Sequence, residues 1–254
     1  MNIVVMLAGG SKDFTKNGQK YPKLLTEING RIMIEIVLEG LKSLTTRENN
    51  VIFMVDKLEN DRYYLGDIIK QVLPGSHVMT VGGETSGAAL TSLLAIEYID
   101  EGMPIALING DQLLDYDENN CIEYFQQHDS DAGVIVFNSY HPRWSYVKIN
   151  NDGLVYEAAE KRPISNNATA GFYYYKKASE YIKCVKNMIL KGGDVEGTFY
   201  ICPVFNEMIL GQKKILSYQI DSKKYHSFMS PEKVKQFEIQ EEGNKKDGTR
   251  VYES

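Results

Sequence analysis

The chain has 254 residues, 43% hydrophobic and 24% charged, the balance of an ordinary globular protein long enough to bury a full core without disulfides or structural metal. Its formal charge of -6, with no basic stripe, argues against nucleic acid as a main partner, and no apolar stretch approaches membrane-spanning length. Three scattered cysteines, Cys121, Cys184 and Cys202, form no C-x-x-C pair, and the apolar start is too short for a signal segment, so a cytoplasmic location is expected.

Short β-branched runs alternate with helical patterns along the first half. Residues 3–7 read as a buried strand, and 31–44 as a helical stripe carrying Ile32, Met33, Ile36, Val37, Leu41 and Leu44. Strands at 51–55, 77–81 and 104–109 are separated by helices at 61–72 and 88–98. This β-α-β-α-β-α-β order predicts a largely parallel, three-layer α/β/α sheet. After about residue 130 the pattern changes to strands at 132–137, 146–149, 155–160 and 169–175, with a turn at Asn151-Asp152-Gly153. Helices at 178–190 and 203–210, a strand at 215–220 and a short helix led by Pro231 follow. No repeat or composition break marks a second domain, so residues 1–238 are expected to form one domain and 239–254 a polar tail.

The most informative segment is Leu7-Ala8-Gly9-Gly10-Ser11-Lys12-Asp13-Phe14, continuing to Gly18 and Tyr21-Pro22-Lys23. In an open parallel sheet, ligands bind beyond the carboxyl ends of the strands. A glycine-rich loop there brings backbone N–H groups close to phosphates, and Lys23 adds positive charge. A tight strand-to-helix turn with a solvated lysine accounts for the glycines alone equally well. The glycine pair followed by Pro-Lys resembles the sugar-phosphate nucleotidyltransferase family, and the resemblance extends over about residues 1–238. It implies a mixed, mostly parallel Rossmann-like sheet of glycosyltransferase-A-like type, with the loop around a triphosphate and Lys23 at the reacting phosphates. Two positions depart from the family's G-x-G-[ST]-R pattern: Ser11 replaces the second glycine, and Asp13 stands where an arginine is usual. A carboxylate there repels a triphosphate unless Lys12 or Lys16 compensates, or Asp13 faces away or helps hold metal.

Three further segments match the same family. Gly82-Gly83-Glu84-Thr85-Ser86-Gly87 resembles its base-reading loop, which often carries Gln at the position of Glu84. An ionised glutamate only accepts hydrogen bonds, which suits the amine of cytosine and favours CTP. A helix start with Thr85 or Ser86 as cap and a solvated Glu84 is the alternative. Asn109-Gly110-Asp111-Gln112 ends a buried strand, where an aspartate is a natural Mg²⁺ ligand and, less often, a plain turn residue. The resemblance favours the metal, with Asp221 as the second carboxylate, ahead of a Ser230-Pro231-Glu232 segment that a helix entry also explains. Glu160-Lys161 resembles the acceptor-binding strand end, with Lys161 on the acceptor phosphate and Glu160 on its organic part. Arg143, Trp144, Ser145 and Tyr146 are expected on the same side.

The resemblance thus implies a Mg²⁺-dependent nucleotidyltransferase of the EC 2.7.7 class. Its expected partners are an NTP, CTP favoured, and a phosphorylated acceptor such as a sugar 1-phosphate, phosphocholine or phosphoglutamine. Lys23 and Asp111 are the expected catalytic residues. Leu7, Ala8, Gly9, Gly10, Ser11, Lys12, Gly83, Glu84, Gly87 and Asn109 are expected to hold the nucleotide with them, and Gln112, Glu160, Lys161 and Gly171 the acceptor. Compact members with an F-Y-x-C-P-x-[FY]-N segment, here residues 199–206, include capsule-locus cytidylyltransferases, which suggests surface-polysaccharide synthesis. A homo-oligomer is compatible with the sequence. A glycosyltransferase using Asp115-x-Asp117, or a degenerate nucleotide-binding module, are the competing readings.

Overall fold

Alternating burial on the first strand defines the layers. In β1 (Asn2–Met6), Ile3 and Val5 point into one apolar core and Val4 into the other, so the strand is covered on both faces. The computed structural model describes residues 1–11, 14, 20–46 and 48–246. A hairpin of β2 (Glu27–Ile28) and β3 (Arg31–Ile32) leads into α1 (Met33–Gly40), where Glu35 accepts a 3.2 Å bond from the Ile32 amide. Then come β4 (Asn50–Asp56), α2 (Lys57–Tyr63), α3 (Leu65–Val72), β5 (His77–Val81) and α4 (Ala88–Leu93). β6 (Ile105–Asn109), β7 (Gln112–Leu114) and α5 (Glu118–Gln127) complete this half.

The second half contributes β8 (Ala132–Asn138), β9 (Ser145–Ile149), β10 (Val155–Glu160), β11 (Asn167–Tyr175), α6 (Ala178–Leu190) and α7 (Val204–Leu210). β12 (Ile215–Gln219), β13 (Tyr225–Ser227) and α8 (Pro231–Lys246) close the chain. Among the described residues, nine strands form one sheet in the order β10-β9-β11-β6-β1-β4-β5, with β8 on β11 and β12 on β8. Only β10 and β11 run against the other strands of this sheet. The fold is therefore the expected mixed, mostly parallel sheet flanked by helices. Helices α1, α3, α5 and α8 cover one face; α4, α6 and α7 cover the other. Each fully buried Leu, Ile or Phe contributes roughly 1.5–3 kcal/mol to this arrangement.

Several boundaries differ from the sequence reading. The stripe at 31–44 is shorter as a helix, because Arg31 and Ile32 pair with Glu27 and Ile28 in the hairpin. The helix expected at 61–72 is two helices, broken where Tyr64 takes φ 56°. The expected short helix at Pro231 has 16 residues, so part of the expected tail is helical; residues 247–254 lie outside the described set. Helix α5 and strands β7 and β13 have no counterpart in the sequence reading. Among the described residues, no helix is long and apolar enough to cross a membrane.

Candidate active site

Strand β1 lies between β4 and β6, so the chain leaves it in two directions and opens a crevice at the carboxyl edge of the sheet. The loop after β1 fills this edge. Gly9 and Gly10 take φ +104° and +79°, a region that favours glycine. A Cβ on Gly10 would collide with the Lys23 ammonium, so this glycine admits the lysine beneath the loop. Lys23 opens a single helical turn, Lys23–Leu25, after Pro22, and its amide donates to Ser11 Oγ at 3.3 Å. Leu7 is buried, while Ala8, Gly9, Gly10 and Ser11 range from half-buried to exposed along the rim. Lys12, like Asp13, Lys16 and Gly18, lies outside the described residues.

The Lys23 side chain is 6% exposed, and its Nζ lies 3.0 Å from Asp111 Oδ2. Asp111 sits just past β6 because Gly110, which donates its N–H to Met6 O at 2.9 Å, has no room for a side chain between Leu7 and Met6. Glu59, on the first turn of α2, is a member of this group that the sequence did not reveal. Burial pushes its carboxyl up, opposed by a hydrogen bond to Ser11, with further contributions from the charges of Asp56 and Lys23.

Asn109, Gln112 and Gly171 converge beside Asp111. Gly171 takes φ +62° at an irregularity between β11 and β8, and a Cβ there would strike the side-chain amides of Asn109 and Gln112. Gln112 is buried: its Nε2 donates to Ala170 O at 2.8 Å, and its Oε1 accepts from Tyr225 Oη at 3.4 Å. Its polar groups are thus used within the protein, which makes Gln112 a brace for this corner. The second element reaching Asp111 is β13: the Phe228 amide donates to Asp111 O at 2.7 Å, and Ser227 pairs with Gln112. Asp221, expected as the second metal carboxylate, is exposed and caps the turn Ser222–Lys224 by accepting from the Lys223 amide at 2.9 Å. Among the described residues, no group of three or more His, Cys, Asp and Glu gathers to hold a metal. Asp111 offers hard oxygens at the strand edge, which fits Mg²⁺, an ion that commonly binds through one or two carboxylates plus substrate phosphates. Asp117, half of the Asp115-x-Asp117 spacing, accepts from the Asn119 amide at 3.0 Å and caps α5.

The expected base loop is braced by the segment at 199–200. Phe199 N–H donates to Ser86 O at 2.7 Å, and Phe199 O accepts from the Ala89 amide at 3.0 Å. Gly87, at φ +114°, packs against the Phe199 backbone and is itself the cap of α4, so neither Thr85 nor Ser86 caps that helix. Gly83 takes φ +76°, and Glu84 is exposed.

Across the crevice, Lys161 takes φ +51° at the end of β10 and is exposed, its Nζ donating to Tyr200 Oη at 2.8 Å and lying 5.1 Å from the ring centroid. Glu160 accepts from Ser145 Oγ, and burial pushes its carboxyl up against the effect of that bond and of Lys161. Tyr200, next to Phe199, thereby connects the segment at 82–89 to the end of β10, a link the sequence did not disclose.

The family model for nucleotidyl transferases matches residues 4–195. Among solved structures, the chain is similar to a nucleoside-diphosphate-sugar pyrophosphorylase from Vibrio cholerae RC9, with 22% identity and a TM-score of 0.82 over 94% of this chain and 100% of that one. It is also similar to a Bacillus anthracis protein in complex with sucrose, provisionally assigned as a glucose-1-phosphate thymidylyltransferase, with 16% identity and a TM-score of 0.73 over 94% of each chain. At these identities the likeness is one of fold. No curated protein matches the chain by sequence.

Proposed function

This chain belongs to the nucleotidyl transferase family, and we propose that it transfers a nucleotidyl group from an NTP, CTP favoured, to a phosphorylated small molecule and releases pyrophosphate. The observation that carries this reading is the buried Lys23, held beneath Gly10 and 3.0 Å from Asp111 at the carboxyl edge of the sheet.

An oxygen of the acceptor's phosphate attacks the α-phosphorus of the NTP. The new P–O bond forms as the bond to the β-phosphate bridge breaks, and pyrophosphate leaves with the electron pair. A phosphate monoester is already anionic near neutral pH, so the site needs little general base and works by positioning and charge stabilisation. Lys23 supplies a fixed positive charge to the phosphates, and the loop from Leu7 to Ser11 offers backbone N–H groups to the triphosphate. Lys161, steadied by Tyr200, meets the acceptor phosphate, and Glu160, with Ser145, meets its organic part. Asp111 would hold Mg²⁺, which when bound supplies charge neutralisation on the triphosphate and pyrophosphate. Glu84 and the loop around Gly83 and Gly87 receive the base.

The preference for CTP rests on Glu84 as an acceptor-only group. The family resemblance puts sugar 1-phosphates, phosphocholine and phosphoglutamine on the acceptor panel, and surface-polysaccharide synthesis as the setting. A pyrophosphate-release screen across four NTPs and these acceptors tests the reading. Release is expected only when an NTP and an acceptor are both present, highest with CTP; no release with any pair would overturn it.

A further inference from the structure

Beside the crevice, the loop at 139–144, β13 and the first turns of α8 enclose a cavity of ≈ 330 Å³. It adjoins the reacting edge through Ser227, which lines it and pairs with Gln112 in the neighbouring strand. Phe137, Trp144, Tyr225 and Phe237 line it; the Phe137 and Tyr225 centroids are 4.6 Å apart, and Trp144 lies 5.5 Å from each of them. Arg143 stands over the Trp144 ring, with its guanidinium carbon 5.8 Å from the centroid. Lys233 enters from α8, and its ammonium is bonded to Gln236 Oε1 at 2.8 Å. Both Arg143 and Lys233 line the cavity, and burial and the charge of Arg143 push the Lys233 pKa down.

Among the described residues, no carboxylate lines this cavity. Among the described residues, neither Arg143 nor Lys233 takes part in an ion pair. Two like charges brought together in a half-buried space repel more strongly than they would in water, and a bound anion removes that cost. The rings that line the same cavity offer an apolar wall too wide for a bare ion to fill. From Arg143 and Lys233 lining one cavity with the Trp144, Phe137 and Tyr225 rings, we propose that this cavity is an anion subsite. It takes a carboxylate or phosphate group borne on a small organic body that packs against the rings.

The anionic group has two sources. It is either a second charge on the acceptor, which rests on the proposed function, or a separate molecule bound beside the reaction centre. Trp144 is the chain's one tryptophan, so its emission reports occupancy of the cavity directly and without turnover.

Malonate and inorganic phosphate, titrated into the full-length protein against chloride at matched ionic strength, are expected to change Trp144 emission saturably. Loss of one charged contact should weaken the midpoint about tenfold or more in Lys233→Gln. The response should persist in Lys23→Ala, which separates the cavity from the phosphate loop. No saturable change, or an unaltered midpoint in Lys233→Gln, overturns the subsite. A kinetic arm compares glucuronic acid 1-phosphate with glucose 1-phosphate as acceptors. A lower KM for the acid, erased in Lys233→Gln while turnover of the neutral sugar is kept, places the anion on the acceptor. Equal KM values together with the emission response place it on a separate molecule. Failure of the proposed function removes turnover with both acceptors and leaves the emission result standing.

Discussion

The Lys23 ammonium and the Asp111 carboxylate lie 3.0 Å apart, with the lysine side chain 6% exposed and the aspartate 28%. The pair is asymmetric: the cation is the deeper member. Removing the partner of a buried charge is costly, whereas replacing the charge itself with an apolar chain is often tolerated. Asp111→Asn is therefore expected to destabilise the fold by about 1–3 kcal/mol, and Lys23→Met by less than about 1 kcal/mol. Urea unfolding of both variants measures this. Equal losses would contradict the asymmetry.

Catalysis should respond in the opposite order of subtlety. Lys23→Ala is expected to lower kcat roughly 10²–10³-fold, the usual cost of losing one group that stabilises developing charge. An effect confined to KM would mean that Lys23 binds ground and transition states alike. Excess chelator and Asp111→Asn should each remove most turnover, and undiminished rates in either would argue against a metal at Asp111.

Glu84→Gln tests the base. Acceptor-only Glu84 is expected to favour CTP over UTP by about 1–3 kcal/mol, or roughly ten- to a hundred-fold in kcat/KM. The Gln variant offers uracil a donor and should narrow the gap. A CTP/UTP ratio unchanged by the substitution would show that Glu84 does not touch the base.

Two glycines of the same loop should differ in tolerance. A Cβ on Gly87 would meet the Phe199 backbone, including its N at 2.7 Å, at φ +114°. A Cβ on Gly83, at φ +76°, meets nothing within 4 Å. Gly87→Ala is expected to cost about 2–4 kcal/mol, by strain and collision together, and Gly83→Ala only about 1–2 kcal/mol. Thermal unfolding compares them; matching losses would show that the Phe199 contact does not brace the loop.

Glu118 supplies a pH signature. It is 2% exposed, its Oε2 has no hydrogen-bond partner among the described residues, and burial raises its carboxyl pKa from 4.5 to about 8. The folded state therefore holds a proton that the unfolded state releases between those values. The stability linked to that proton is fully present below about pH 4.5 and is lost as pH rises towards 8, with no further loss above it. Glu118→Gln should flatten this decline and raise stability at pH 8 by about 1–3 kcal/mol. Parallel pH–stability curves for the two proteins between pH 5 and 8 would rule this out.

The layered sheet was legible in the sequence because each early strand carries its own local evidence. Runs such as Val51–Val55 are apolar on both faces, which calls for helices above and below. Gly10 and Lys23 were legible for a related reason: a strand, a glycine loop and a lysine within one short stretch of chain carry their meaning locally. Helix α5 was not legible, because ENNCIEYFQQ shows an apolar face only through Cys121, Ile122 and Phe125 once β8 and β11 lie beneath it. Strands β7 and β13 are short and are defined by each other across more than a hundred residues, so neither has a local signature. The same holds for the site's supports. Ser227 beside Gln112, Tyr200 on Lys161, Glu59 at Ser11, and Arg143 in one cavity with Lys233 join residues far apart in sequence. Asp221, which the resemblance offers as a metal ligand, also has a local use that the sequence did not reveal: it accepts from the Lys223 amide two residues on and caps a turn. Local periodicity determines which segments are strands or helices, because it reflects burial along one element. Which side chains meet depends on the sheet order, and only the folded chain decides that.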